Sequence, residues 1–149
     1  MNWSGTEEWQ VYQSDYGFKI KYPSRLHAFE YVGKRTIGFE GQGWKSGNVI
    51  ILCEPFQNDM TLDDLSNQFS SYISKDRLMS LKTIKISKNG LDAIELITNI
   101  QQCTDFSKTI YITLIKDNIR YLLTWHGHDK EFNEEIGFFY LMVNSFEFV

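Results

Sequence analysis

Thr83-Ile84-Lys85-Ile86-Ser87-Lys88-Asn89-Gly90-Leu91-Asp92-Ala93-Ile94 is the stretch whose reading decides the fold. Ile84 and Ile86 alternate with Lys85 and Ser87, the period of two that sends successive side chains to opposite faces of a strand. Asn89-Gly90 then separates two apolar runs. Both residues tolerate positive φ, so the pair predicts a tight type I′ hairpin turn. The pattern repeats downstream. Leu91 to Ile100 returns, Thr109 to Lys116 follows a polar gap, Asp117-Asn118 offers a second tight turn, and Ile119 to Trp125 closes the run. Thr83 to Trp125 is therefore read as an antiparallel meander around which the rest of the chain is organised.

Working outward, Trp9 to Ser14 and Phe18 to Tyr22 read as strands joined by Asp15-Tyr16-Gly17, the second stopped by Pro23. Ser24 to Lys34 has weak periodicity and reads as a loop with one helical turn. Arg35 to Glu40 reads as a short strand, and Asn48 to Glu54 as a nearly continuous apolar strand through Val49 to Cys53, buried on both faces. Between them, Gly41-Gln42-Gly43-Trp44-Lys45-Ser46-Gly47 is rich in glycine. It is no phosphate-binding loop, since no Gly-Lys-Ser/Thr closes it and a strand follows. Thr61, with Asp64 three residues on, predicts a capped helix with Leu62, Leu65, Phe69, Tyr72 and Ile73 on one stripe, ending near Ser74 to Arg77. Asp129 is the expected cap of a second helix reaching Asn144. Its inward stripe is Phe132, Ile136, Phe139, Tyr140 and Val143, widened by Phe138, Leu141 and Met142.

Strands that are apolar on both sides, such as Tyr121, Leu123 and Trp125 against Leu122, want cover on both sides. The expected class is α+β: a central antiparallel sheet flanked by helices as an α/β/α sandwich. The expected organisation is one domain over 1–149, with 1–8 as a frayed N-terminal segment.

The chain has 149 residues, enough to bury roughly 68–70% of its unfolded surface without a metal or disulfide. Its 11 Phe, 8 Tyr and 4 Trp suit strands and a filled core and argue against disorder. A net charge of −4 with scattered Lys and Arg gives no electrostatic footprint for nucleic acid. No apolar run is long enough to make a transmembrane segment. No charged-then-apolar leader precedes the first strand, which fits a cytoplasmic protein, or an exported or lipid-anchored one whose leader has been removed.

Few residues carry chemistry. His126, His128 and Asp129 have metal-ligand character, because histidines two apart on a strand project to the same side and Asp129 or Glu131 could complete a zinc or manganese site. The simpler reading is a polar strand-to-helix turn. Trp3 and Trp44, beside glycines, suggest an aromatic partner-binding surface. Against this, Trp44 could fold onto the sheet and Trp3 belong to a loose terminus. Cys53 and Cys103 are a disulfide candidate; two free thiols is the simpler reading. The pairs Asp63/Asp64 and Glu134/Glu135 could serve acid–base chemistry, but first-turn carboxylates complement the helix dipole and read as a solvated face. His27 has no identifiable partner, and no Ser–His–Asp or Cys–His arrangement has a supporting motif.

Tyr16-Gly17-Phe18-Lys19-Ile20-Lys21-Tyr22-Pro23 resembles the opening motif of PsbP-like domains. Met60-Thr61-Leu62-Asp63-Asp64-Leu65, Asn89-Gly90-Leu91-Asp92-Ala93 and Asn144-Ser145-Phe146 continue the pattern in order, from about Trp9 to Phe148. The resemblance implies an antiparallel sheet between helices and no enzymatic chemistry. The family includes the extrinsic photosystem II subunit, which helps retain the manganese-calcium-chloride centre. A Ran-binding nuclear transport factor has a related fold, and many bacterial and archaeal members are exported or lipid-anchored single domains. The long N-terminal extension with which the photosystem subunit engages its complex does not appear in these residues. Fold likeness does not transfer function. The expectation is a non-catalytic binding or assembly module with a protein partner, acting outside the cytoplasm or from a lipid anchor. The alternatives are a metal-binding or metal-retention protein and a small-ligand carrier or hydrolase.

Overall fold

The structure is a computed structural model that describes residues 8–31, 33–41, 48–55, 59–73, 77–102 and 105–149. Strands run over Trp9–Ser14 (β1), Phe18–Pro23 (β2), Leu26–Tyr31 (β3), Thr36–Gly41 (β4), Asn48–Pro55 (β5), Leu78–Ile86 (β6), Leu91–Gln102 (β7), Asp105–Lys116 (β8), Ile119–His128 (β9) and Glu147–Phe148 (β10). The helices are Leu62–Tyr72 (α1) and Asp129–Asn144 (α2).

The predicted meander is present as β6-β7-β8-β9, antiparallel throughout. It forms more than half of a seven-stranded sheet in the order β3-β4-β5-β9-β8-β7-β6. Asp117 and Asn118 take φ of 53° and 62°, the pair of positive values that a type I′ turn requires. The Asn89-Gly90 turn differs from expectation. Ile86 pairs with Leu91, so the loop holds Ser87 to Gly90, and its positive φ angles fall on Ser87 and Gly90 while Asn89 is not among them. Gly90 N–H donates to the Ser87 carbonyl at 3.2 Å, closing a wider turn.

Ladder partners share a face, and the registers separate the sheet into two unequal sides. One row runs Ile37, Ile51, Leu123, Ile112, Glu95 and Lys82, and the next runs Phe39, Val49, Trp125, Ile110 and Ile97. This is the core side. Ile37, Phe39, Ile51, Ile110, Ile112 and Trp125 are each 0% exposed. Helix α2 covers β8 and β9 here with Phe139, Met142 and Val143, all buried.

The single-sheet expectation requires correction. β1, β2 and β10 form a separate three-stranded sheet. This small sheet lies on the same core side, where Phe18 stacks on Phe146 at 5.2 Å and meets Tyr121 edge-on at 6.0 Å. Tyr12 and Tyr22 reach Phe39 at 6.1 and 5.3 Å. Ser145 Oγ, accepting from Lys21 N–H at 2.9 Å, ties β2 to the end of α2. The core side is thus closed by a helix and a second sheet together.

The flanking-helix sandwich is only half realised. α1 packs on β6 and β7 of the opposite face, and Leu65 is its one buried residue. The capping box does form. Thr61 Oγ1 accepts from Asp64 N–H at 3.2 Å and Asp64 Oδ2 accepts from Thr61 N–H at 3.0 Å, a motif worth about 1 kcal/mol. These bonds also hold the Asp64 carboxyl below its usual range. The helix ends at Tyr72, 81% exposed, while Phe69 and Ile73 of the expected stripe are half-buried.

Ser24 to Lys34, expected as a loop, contains strand β3. Its pattern was hard to see because both faces carry mixed residues: Leu26, Ala28 and Glu30 on one, His27, Phe29 and Tyr31 on the other. At α2 the N-cap is His128, with no side-chain capping bond, and Asp129 is the first helical residue. Leu141, expected to widen the apolar face, is 55% exposed. Glu135, expected in a solvated face, is fully buried.

Candidate functional site

The second face of the large sheet carries the rows Phe29, Gly38, Ile50, Thr124, Tyr111, Leu96 and Tyr31, Thr36, Leu52, Leu122, Thr113, Ile94. Toward β7 the rows are closed: Ile94, Leu96 and Thr113 are buried. Over β3, β4, β5 and β9 they are not. Phe29, Ile50, Leu52 and Leu122 are half-buried and Tyr31 is 39% exposed. The Phe29 ring lies across Gly38, where an added Cβ would meet its Cζ at 2.7 Å, and turns edge-on to Tyr31 at 4.9 Å. Gly38 thus leaves room for the tip of an aromatic ring against the sheet, and Phe29 extends the apolar strip to its β3 edge.

The sequence-predicted metal ligands are divided between the two faces. His126 and His128 project from β9 on the open side, and His126 Nδ1 sits 2.6 Å from Thr109 Oγ1. Asp129 turns to the core side, where Lys108 Nζ is 2.6 Å away and lies 4.4 Å from the Phe132 ring centre. The strand-to-helix turn at Gly127-His128 rotates Asp129 away from the imidazoles. Among the described residues no group of three His, Cys, Asp or Glu side chains is placed to hold a metal ion.

Trp3 and Trp44 lie outside the described residues, as does Cys103. Cys53 is buried with a free thiol, and burial pushes that thiol up to about 12. Its ladder partner is Tyr121, whereas Gln102 and Asp105, flanking Cys103, pair at the far end of the β7–β8 hairpin, beyond His128. Asp63 and Asp64 are exposed, as their place in the first turn of α1 predicts.

Two concavities were not legible in the sequence. One, of about 290 Å³, has Val11 and Ile20 with Lys19, Lys21 and Lys88 around the C-terminal end of α2 at Ser145. Lys19 is paired with Glu147 at 3.2 Å, and cations at this end of a helix complement its carbonyls. The other, of about 300 Å³, lies where the β1–β2, β3–β4 and β8–β9 turns meet beside Val149. Its lining includes Tyr16, Arg35, Lys116 and Tyr121, with Asp15 and Asp117. Arg35, expected as the first residue of a strand, is instead a turn residue with φ of 51°.

Besides Glu135, the carboxylate of Glu95 is buried in the core. Tyr140 donates to it at 2.5 Å from α2, and Lys82 Nζ lies 3.6 Å away on the edge strand. Burial, then the bond to Glu95, pushes the Tyr140 phenol far above its usual value. The cluster pins α2 to β7.

The antiparallel sheet, the small sheet packed on it and the two helices together give a PsbP-like fold. The solution structure of cyanobacterial PsbP (CyanoP) from Synechocystis sp. PCC 6803 superposes with a TM-score of 0.72 at 14% identity, covering 100% of this chain and 98% of that one. A Bacteroides thetaiotaomicron VPI-5482 protein matches with a TM-score of 0.67 and 16% identity over 93% of this chain and 48% of that one. A Pseudomonas aeruginosa protein of unknown function, described as a putative regulator, matches at 0.53 and 13% identity, covering 87% and 89%. At these identities the likeness is one of fold. No protein-family profile matches the chain, and no curated protein sequence matches it. No helix among the described residues is long and apolar enough to cross a membrane.

Proposed function

We propose that this chain is a non-catalytic binding or assembly module that docks an uncharged, apolar surface of a second protein on the half-open sheet face. The observation that carries this reading is the contiguous strip of Phe29, Ile50, Leu52 and Leu122, half exposed on a rigid sheet while the opposite face is sealed. Flat apolar patches rimmed by polar residues are where proteins meet partners. The charges nearest the strip compensate one another, since Arg120 pairs with Glu54 on neighbouring strands. An apolar partner therefore fits better than a charged one. The export or lipid anchoring common among similar folds would present this surface outside the cytoplasm.

A photo-crosslinking amino acid at Leu52 is expected to give one discrete adduct with a different protein in the native host. Ile50→Lys in the same chain should abolish it, and the same probe at Leu141 on α2 should give none. Adducts only between copies of this chain, or equal yields from Leu141, would contradict the reading.

A further inference from the structure

The concavity beside Arg35 holds a cation that the fold positions but does not use. Arg35 sits at the end of the β3–β4 turn with φ of 51°, a conformation that favours Gly or Asn and costs other residues roughly 1–2 kcal/mol. Its guanidinium carbon lies 4.7 Å from the centre of the Tyr16 ring, which holds the group in place by cation–π attraction. Tyr16 is itself fixed, because Tyr121 Oη donates to its backbone carbonyl at 2.7 Å. Arg35 Nε is buried and has no hydrogen-bond partner. None of the ion pairs formed among the described residues includes Arg35 or Lys116. Lys116 is likewise held over a ring, 4.7 Å from the centre of Phe148.

Backbone strain kept at a polar, concave site is a pointer toward binding. A planar guanidinium held over a ring, with its Nε donor unspent, matches the oxygens of a carboxylate. We propose that this concavity binds a small monocarboxylate whose body rests among Tyr16, Ile119 and Tyr121, with Arg35 gripping the carboxylate and Lys116 supporting it. The volume of about 300 Å³ is at the lower end for ligand pockets and suits one small molecule. Asp15 and Asp117 on the rim cancel the two cations in formal charge, which disfavours polyanions and leaves room for a single negative group. The inference is independent of the docking reading, since it uses none of the strip residues.

The test is an NMR titration of the full chain with benzoate, with benzamide and inorganic phosphate as comparison arms. Benzoate is expected to shift Gly17, Asp117 and the Arg35 Nε–H saturably, while benzamide does not. Arg35→Lys keeps the charge without the fork and should weaken binding several-fold. Arg35→Gly should weaken it by about tenfold or more, the loss of one charge-assisted pair. Arg35→Gly should also melt no lower than the parent, because glycine relieves the left-handed backbone, whereas a merely structural arginine would lower the melting temperature on removal. The proposal is overturned if benzamide produces the same shifts, if phosphate binds more tightly than benzoate, or if Arg35→Gly binds benzoate as the parent does.

Discussion

Trp125→Ala is expected to cost about 3–5 kcal/mol, enough to unfold a marginal domain at room temperature. Trp125 is 0% exposed at the middle of the core side, between Val49 and Ile110 in the ladder and edge-on to Phe132 of α2 at 5.7 Å. Removing it opens a void at the point where sheet and helix meet. Trp125→Phe should be far milder, within about 1–2 kcal/mol, for a reason particular to this site. The indole Nε1 is buried without a hydrogen-bond partner, so phenylalanine removes an unsatisfied donor along with the lost volume. Urea unfolding of the two variants checks both values, and a Phe variant as unstable as the Ala variant would show that the indole is bonded in the native state.

Alkali should destabilise the fold through Cys53. Burial raises the thiol to about 12 in the native protein, with the nearby Arg35 charge pulling in the opposite direction. In the unfolded chain a cysteine ionises near 8.5. The native state therefore disfavours the thiolate. The stabilisation is complete below pH 8.5 and is lost progressively as pH rises toward 12, at about 1.4 kcal/mol per pH unit. Tyr140 and Tyr121, both raised chiefly by burial, add to the same loss above pH 10. Denaturant unfolding between pH 8 and 11 should show a slope that flattens by about one proton in Cys53→Ala relative to the parent. Equal slopes would mean that the thiol is more accessible than its place on β5 implies.

How much was legible in the sequence follows from the range of the interactions. The alternation of Tyr121, Leu123 and Trp125 and the stripe of Phe132, Ile136, Phe139 and Val143 are local patterns, and both named the side that is buried. Thr61 and Asp64 are three residues apart and predicted their own capping box. Assignment of β1 and β2 to a second sheet was not local: it depends on Phe18 meeting Phe146 and Tyr12 meeting Phe39. β3 was hidden because Phe29 and Tyr31 face the half-open side, where aromatic residues blur the usual polar alternation. Glu135 looked like a dipole-compensating carboxylate, and only the docking of α2 on the sheet shows it buried.

The candidate sites were less legible than the fold. His126, His128 and Asp129 are adjacent in sequence, yet the turn into α2 sends them to different faces. Arg35, Lys116 and Tyr16 lie far apart in the chain and meet only because three hairpin turns converge at one end of the molecule. Such a convergence leaves no mark in composition or spacing.

The large sheet is sealed on one face and half open on the other. Methyl NMR in the presence of a soluble gadolinium chelate reads that difference residue by residue. Ile50, Leu52 and Leu122 should relax strongly, while Ile51, Leu123 and Val49, one residue along the same strands, should be protected. Equal protection of both sets would show the strip covered by the chain itself, leaving no open face for a partner.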